Sequence, residues 1–457
     1  MPIDALLAEL ADIPFDTQPQ RVKRRSRDFY WYSPVLKRRL DRVTADAVAT
    51  PRSEEEVVRI LAAAYRHDVP VTPRGGGTGN YGQAMPLRGG IVLDLSELTA
   101  IEWIEHGRIR VQAGLKLSEL DAATIAHGRQ ELRLHPSTHK TGTIGGYIAG
   151  GSSGVGSITW GLLRDRGNIL GLRVVTMEER PRILELRGAD IQKANHAYGT
   201  NGIITALELP LAPAYRWAEL IIGFEGLMPA ARFADALARE DALLKKLVTV
   251  IEAPVPHDWL FPERGIAKEE TAVLVMVADF ALEGVEDLLR QHPGRIVWRG
   301  FTEEARGSQL PLFEYAWNHT TLHALKHDRT ITYLQTLFPP PGHLQKVEEM
   351  AARFGQEVPL HLEFVRFGGE VACFGLQIVR YTSDERLAEI IEEHERCGCP
   401  IFNPHAFTLE EGGMKKVDAL QLAFKREADP KGLLNPGKML GFENPDWKPV
   451  ERAFLYD

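Results

Sequence analysis

At 457 residues the chain is too long for one ordinary hydrophobic core and calls for two domains, with room for terminal extensions. Its 44% apolar and 25% charged residues are the balance of a soluble globular protein, and apolar runs such as Val273 to Ala278 fall far short of the roughly 20 residues that cross a bilayer. A net charge of −8 argues against general nucleic-acid binding; with no secretory pattern at Met1-Pro2-Ile3-Asp4 and only Cys373, Cys397 and Cys399 as thiols, a cytoplasmic protein with reduced cysteines is expected.

Residues 1–40 read as a leader with no clear period. It carries a basic cluster, Arg21, Lys23, Arg24, Arg25 and Arg27, followed by Phe29-Tyr30-Trp31-Tyr32. Such a run suits a solvated segment whose aromatics dock on the core. It also suits contact with cofactor phosphate, an acidic partner or anionic lipid at the membrane periphery.

Residues 41–213 are glycine-rich and the most readable region. Ser53 followed by Glu54, Glu55 and Glu56 is a capping-box pattern, and Val57, Ile60, Leu61 and Ala64 continue it as a helical stripe ending near His67. Val69–Thr72, Ile91–Leu95 and Ile109–Ala113 read as strands. Leu117, Leu120 and Ile125 predict a helix that Gly128 stops. Strands and helices mixed in this way indicate an α+β arrangement rather than a regular doubly wound sheet. Residues 214–400 alternate longer helix and strand patterns as a second domain, and residues 401–457 return to Pro and Gly punctuation.

Two glycine runs carry chemistry. In Pro73-Arg74-Gly75-Gly76-Gly77-Thr78-Gly79, residues without side chains turn their N–H groups toward one anion, with a hydroxyl and a cation beside them. Gly77 to Gly82 also spells G-x-G-x-x-G. That pattern needs a helix to begin there, whereas Pro86, Gly89 and Gly90 follow, so a Rossmann unit is rejected. The second run is Thr141 to Gly161, where 8 of 21 residues are glycine, interleaved with Ser and Thr. Two such runs fit an extended, diphosphate-containing cofactor threaded along backbone.

These segments, with Tyr198-Gly199-Thr200-Asn201-Gly202-Ile203-Ile204-Thr205 and the ending Asp429-Pro430-Lys431-Gly432-Leu433-Leu434-Asn435-Pro436-Gly437-Lys438-Met439, resemble the FAD-linked oxidoreductases of the vanillyl-alcohol oxidase and p-cresol methylhydroxylase family. The ending, like Ser26 to Pro34, is similar to the glycolate-oxidase and D-lactate-dehydrogenase-like branch. The resemblance implies an FAD-binding domain in two subdomains, completed by the C-terminal segment, under a separate α+β substrate domain. It implies that Arg74, Gly75, Gly76, Gly77, Thr78 and Gly79 wrap the FAD pyrophosphate, and that Thr143, Gly145, Gly146, Ser153 and Gly154 lie along pyrophosphate and flavin. Gly202 and Ile203 would meet the adenosine end, and Asn435 the flavin edge. Many relatives tether flavin through a histidine in the first loop; Thr78 stands here, which implies non-covalent FAD.

A flavin leaves the protein to position substrate and handle protons, and a histidine base suits that task near neutral pH. His405, in the turn Asn403-Pro404-His405, is the first candidate, with Glu410 and Glu411 to orient it. On the strand pattern Leu360 to Phe367, His361 and Glu363 share one face as a pocket wall, and Arg366 on the other face is a candidate for a substrate carboxylate. His319, His323 and His327 recur every four residues on a helix pattern. No third ligand type completes a metal site there, and the branch's H-x-G-D-G-N-x-H metal motif is absent from the sequence. No metal is expected, and this helix reads as pocket-lining or solvated. The expected activity is hydride transfer from an alcohol or hydroxy-acid carbon to FAD, with a quinone, protein or dioxygen as acceptor. An oxidase of aldonolactone or phenolic substrates, and an electron-relaying flavin subunit with no substrate of its own, are the two other readings.

Overall fold

A computed structural model describes residues 2–305, 310–412, 419–444 and 446–447. Three larger sheets organise them, beside a two-stranded ribbon of Ile331–Tyr333 and Ile378–Arg380. The first runs in the order Phe15–Asp16, Ala47–Ala49, Ile91–Asp94, Val71–Arg74, and its last three strands are parallel. Helix Glu54–Arg66 covers it, because the Ser53 hydroxyl accepts the Glu56 N–H and Val57, Ile60, Leu61 and Ala64 are buried as one stripe. The Glu56 carboxylate reaches back to the Arg52 N–H at 2.7 Å.

Residues 1–40 do not stand apart as a leader. Phe15–Asp16 pairs with Ala47–Ala49, and Leu6, Leu10 and Ile13 share the first layer's core. The pattern hid this because the segments are short, Pro2–Glu9 being 8 residues long.

The second sheet is antiparallel: Ile101–Glu105, Arg108–Gln112, Ile203–Pro213, Gly171–Val175, Ile183–Leu186. Helix Leu117–Gly128 packs beside it, and its left-handed terminal residue is Arg129 (φ 52°), one beyond the expected glycine stop. No helix follows Gly77–Gly82, in keeping with the rejected Rossmann reading.

The third sheet has seven antiparallel strands in the order Gly294–Phe301, Trp217–Glu225, Glu270–Ala278, Lys245–Ile251, His361–Phe367, Glu370–Gly375, Thr336–Phe338. Its unbroken apolar run at 273–278 has a simple cause. Val273, Val275 and Val277 enter the core shared with helices Leu227–Arg239, His343–Phe354 and Asp384–Arg396. Leu274, Met276 and Ala278 enter the core on the opposite face, which takes in Tyr32, Val155 and Leu162 from the N-terminal half of the chain. Period-2 alternation with both faces covered leaves no polar side. Among the described residues no helix is long and apolar enough to cross a membrane.

Residues 419–444 close the molecule. The Lys425 ammonium is buried against Asp429 (2.5 Å) and the carbonyls of Thr200 (2.9 Å) and Leu434 (3.1 Å). Val71 donates to Leu433 O and Asn435 donates to Val71 O, so the tail runs beside the strand that ends in Arg74.

Candidate functional site

A single cleft runs between the two glycine runs and on under the third sheet's domain, with about 1620 Å³ of empty space counted out to its mouth. Of the residues expected to hold cofactor, Arg74 to Gly79, Thr143, Gly145, Gly146, Ser153, Gly202 and Ile203 line it. The glycines are there for close approach. A Cβ on Gly75 would sit 2.1 Å from the Thr143 side chain at Oγ1, and one on Gly76 2.2 Å from Thr141 O, where the two runs touch backbone to backbone. Thr143 caps helix Ile144–Gly150 by accepting the Gly146 N–H at 3.3 Å.

Gly154 and Asn435 do not line the cleft. Gly154 packs on the carbonyl of His135, 2.2 Å from where its Cβ would be. Asn435, fully buried, donates from Nδ2 to Gln83 O (2.8 Å) and Tyr198 O (2.7 Å), and thereby ties together two cleft-lining segments. Buried Lys438 donates to Gly82 O at 2.5 Å, and buried Asp28 accepts the N–H groups of Tyr30 and Ala84 at 3.0 and 3.1 Å. Burial raises the Asp28 carboxyl and lowers the Lys438 ammonium, each partly offset by the other's charge.

Does this cleft fit FAD? Among the described residues, the N–H groups of Gly75, Gly76, Gly77, Thr78 and Gly79 donate to no protein acceptor. Buried Arg74 Nε, Trp317 Nε1 and Asn318 Oδ1 are likewise without partners, and all three residues line the cleft. Orphaned donors along a loop suit a diphosphate, and the walls of Phe29, Tyr32, Tyr147 and Tyr198 suit a flat ring. The residues present fit the group.

The expected catalytic residues are placed differently. His405 is outside the cleft, with Nδ1 at 2.7 Å from Ser33 Oγ and Nε2 at 3.1 Å from Tyr333 O. Burial pulls its pKa down to about 4. Arg366 points away from the cleft and pairs with Asp241 beyond helix Leu227–Arg239. His361 and Glu363 do share a strand face, with His361 Nε2 at 2.7 Å from Glu363 Oε1, but both are buried behind the cleft wall.

From the third sheet's domain, Trp317, Asn318, His319 and Gln335 reach the cleft instead. The three-histidine helix pattern splits: Asn318–His327 is the helix, His319 faces the cleft, His323 stacks on Tyr315 (4.7 Å), and His327 is exposed. His319 Nδ1 lies 2.9 Å from Glu314 Oε2, close enough for an ion pair although its angles fall outside those of a hydrogen bond. Burial alone would raise the Glu314 carboxyl, but the closeness and charge of His319, with Lys140 and His323 beyond, hold it below its ordinary value. Across the ring, no protein group among the described residues bonds His319 Nε2, and His319 lines the cleft. His196 also lines the cleft, lying where any Gly151 side chain would be. Glu314, Trp317, Asn318, Gln335 and His196 carried no sequence signal beyond their polarity; His319 carried one, its place on the helix.

Comparison with known proteins agrees with this geometry. Residues 45–183 match the FAD binding domain family model. The D-lactate dehydrogenase of Archaeoglobus fulgidus is 31% identical over 425 residues, covering 86% of this chain and 91% of that protein. The glycolate oxidase subunit GlcD of Escherichia coli K12 is 34% identical over 420 residues, covering 86% and 83%. A solved structure of alkyldihydroxyacetonephosphate synthase superposes with a TM-score of 0.73 over 95% of this chain and 84% of that one, at 16% identity, which shows the fold alone. The chain therefore belongs to the FAD-linked oxidoreductases of the vanillyl-alcohol oxidase and p-cresol methylhydroxylase family, in the D-lactate dehydrogenase and glycolate oxidase branch, and is an FAD-dependent oxidoreductase of CH–OH groups.

Proposed function

We propose that the protein oxidises a small 2-hydroxy acid to its keto acid, with His319 receiving the hydroxyl proton at Nε2. The observation that carries this reading is the Glu314–His319 pair at the cleft wall, 2.9 Å apart, with the second ring nitrogen free of protein partners. FAD, when bound, supplies the hydride acceptor. Trp317 Nε1–H and the Asn318 carboxamide, both without protein partners, orient the substrate by hydrogen bonds to its hydroxyl and carboxylate. His405 is passed over as the base because both its ring nitrogens are already engaged. The hydroxy-acid class is supported by the relatives named D-lactate dehydrogenase and glycolate oxidase. Thr78 in the first loop supports non-covalent FAD.

The reducing equivalents need a way out, and the segment Arg21–Arg42 supports an acidic protein acceptor. It holds nine basic and two acidic residues in a chain whose net charge is −8. Within it Trp31 is 40% exposed and packs edge-on against Tyr32 at 4.9 Å, and Tyr32 and Phe29 line the cleft. Charge of one sign steers such a partner.

The test is anaerobic flavin bleaching against short 2-hydroxy acids and simple alcohols. His319→Gln is expected to slow reduction by a factor of about 100 or more while FAD remains bound. An undiminished rate removes His319 from this role, and reduction by none of the hydroxy acids removes the substrate class.

A further inference from the structure

His361 and Glu363 look like an active-site pair in sequence, yet both are 1% exposed and lie behind the cleft. A buried carboxylate is costly unless its oxygens are filled, and those of Glu363 are. Oε1 accepts the Trp317 backbone N–H at 2.6 Å and lies 2.7 Å from His361 Nε2. Oε2 accepts the Thr249 hydroxyl at 2.6 Å, from the residue directly opposite in the neighbouring strand. One partner stands out. Trp317 is a bulky residue held at φ 52°, ψ −143°, a backbone region that costs energy and survives only where the surroundings impose it. It immediately precedes Asn318 and His319.

The segment around it is closed upon itself and fastened to the sheet. Glu314 holds His319, and the Thr320 hydroxyl donates to Tyr315 O at 2.5 Å. Two buried carboxylates on the sheet then grip its main chain: Glu219 accepts the Leu312 N–H at 3.1 Å, and Glu363 accepts that of Trp317. The first grip is remote from the cleft residues; the second is one peptide from Asn318. Relaxing Trp317 to ordinary extended backbone would swing Asn318 and His319 together.

We propose that Glu363 is a positioning residue: a hydrogen-bonding clamp on the Trp317 amide that sets the Trp317–Asn318–His319 arm at its working place in the cleft. The inference rests on the reading of His319 as proton acceptor. It gives the strained tryptophan a purpose, since the strain aims two side chains that no regular helix start would aim there.

A double-mutant cycle on the FAD-loaded protein tests it, reading the rate of anaerobic flavin reduction, the FAD dissociation constant and the melting temperature. Glu363→Ala is expected to slow reduction about 100-fold, the scale of an ångström-sized misplacement, with FAD affinity shifted by less than about threefold. Glu363→Gln should recover most of that loss, because its amide keeps an acceptor for Trp317 N–H and a donor toward Thr249 Oγ1. Placed on His319→Gln, Glu363→Ala should cost less than about threefold more, since two residues serving one function do not add. Should Glu363→Ala fail to fold, Thr249→Val, nearly isosteric, should still slow reduction about fivefold through the loss of one hydrogen bond to the carboxylate. Wild-type rates in Glu363→Ala or Thr249→Val, or a full loss repeated on the His319→Gln background, would overturn the clamp. A wild-type rate in His319→Gln alone would instead overturn the reading of His319, and with it the arm's purpose.

Discussion

Replacing Gly76 by alanine tests the cofactor cradle where its two glycine runs meet main chain to main chain. The added Cβ would lie 2.2 Å from the carbonyl oxygen of Thr141 and 3.2 Å from Gly142 Cα, both main-chain atoms that cannot rotate away. Bringing the first contact to even 3.0 Å parts the two glycine runs by 0.8 Å. An amide hydrogen bond of about 2.9 Å stretched by that much is no longer one. Hydrogen bonds to a charged acceptor contribute about 1.5–3 kcal/mol each, so losing two weakens FAD binding by about 3–6 kcal/mol, or roughly two to four orders of magnitude. The assay is titration of the apoprotein with FAD, following quenching of flavin fluorescence, alongside the melting temperature of the apoprotein. An FAD affinity within about threefold of wild type would refute the amide-strip account, since it would mean that the runs can part without loosening the diphosphate.

Two further expectations concern residues outside the cradle. His405→Gln should lower stability yet leave the flavin-reduction rate within about threefold; a 100-fold loss would restore His405 as the base. Its folded pKa of about 4 lies below the unfolded value of about 6.5, so the unfolded chain binds the extra proton. Its contribution is therefore present above pH 6.5 and lost as pH falls toward 4, up to about 3 kcal/mol in all; acid melting curves of His405→Gln should be flatter over that window. Trp31→Ala should leave anaerobic reduction by substrate unchanged and slow reoxidation by an acidic protein acceptor, more so at low salt. Equal reoxidation rates would remove this face as the exit.

Much of the fold and of the cradle was legible in the primary sequence. Gly76 and Gly145 are required where main chains meet, and Gly75 where the Thr143 side chain packs against it; a residue without Cβ announces such closeness locally. The stripe of Glu54–Arg66 and the alternation through His361–Phe367 follow from period alone, as does the opposite placement of Glu363 and Arg366. The reacting end was another matter. His405 and His319 are both histidines in polar surroundings, and their difference lies in partners far along the chain: Ser33, 372 residues from His405, fills one ring nitrogen, and Tyr333, 72 residues away, fills the other.

What the sequence determined is the set of local conformations: where the chain can turn without a side chain, where a helix starts, which face of a strand is apolar. What the tertiary structure alone decided is which polar groups are left unsatisfied once everything else has paired. Glu363 and His405 spend their hydrogen bonds inside the protein, while Trp317, Asn318 and the amides of residues 75–79 retain theirs. Such a remainder is a property of the whole packed chain, because each buried donor and acceptor is filled by whichever residue the fold brings near, and proximity in space is not written in the order of the residues.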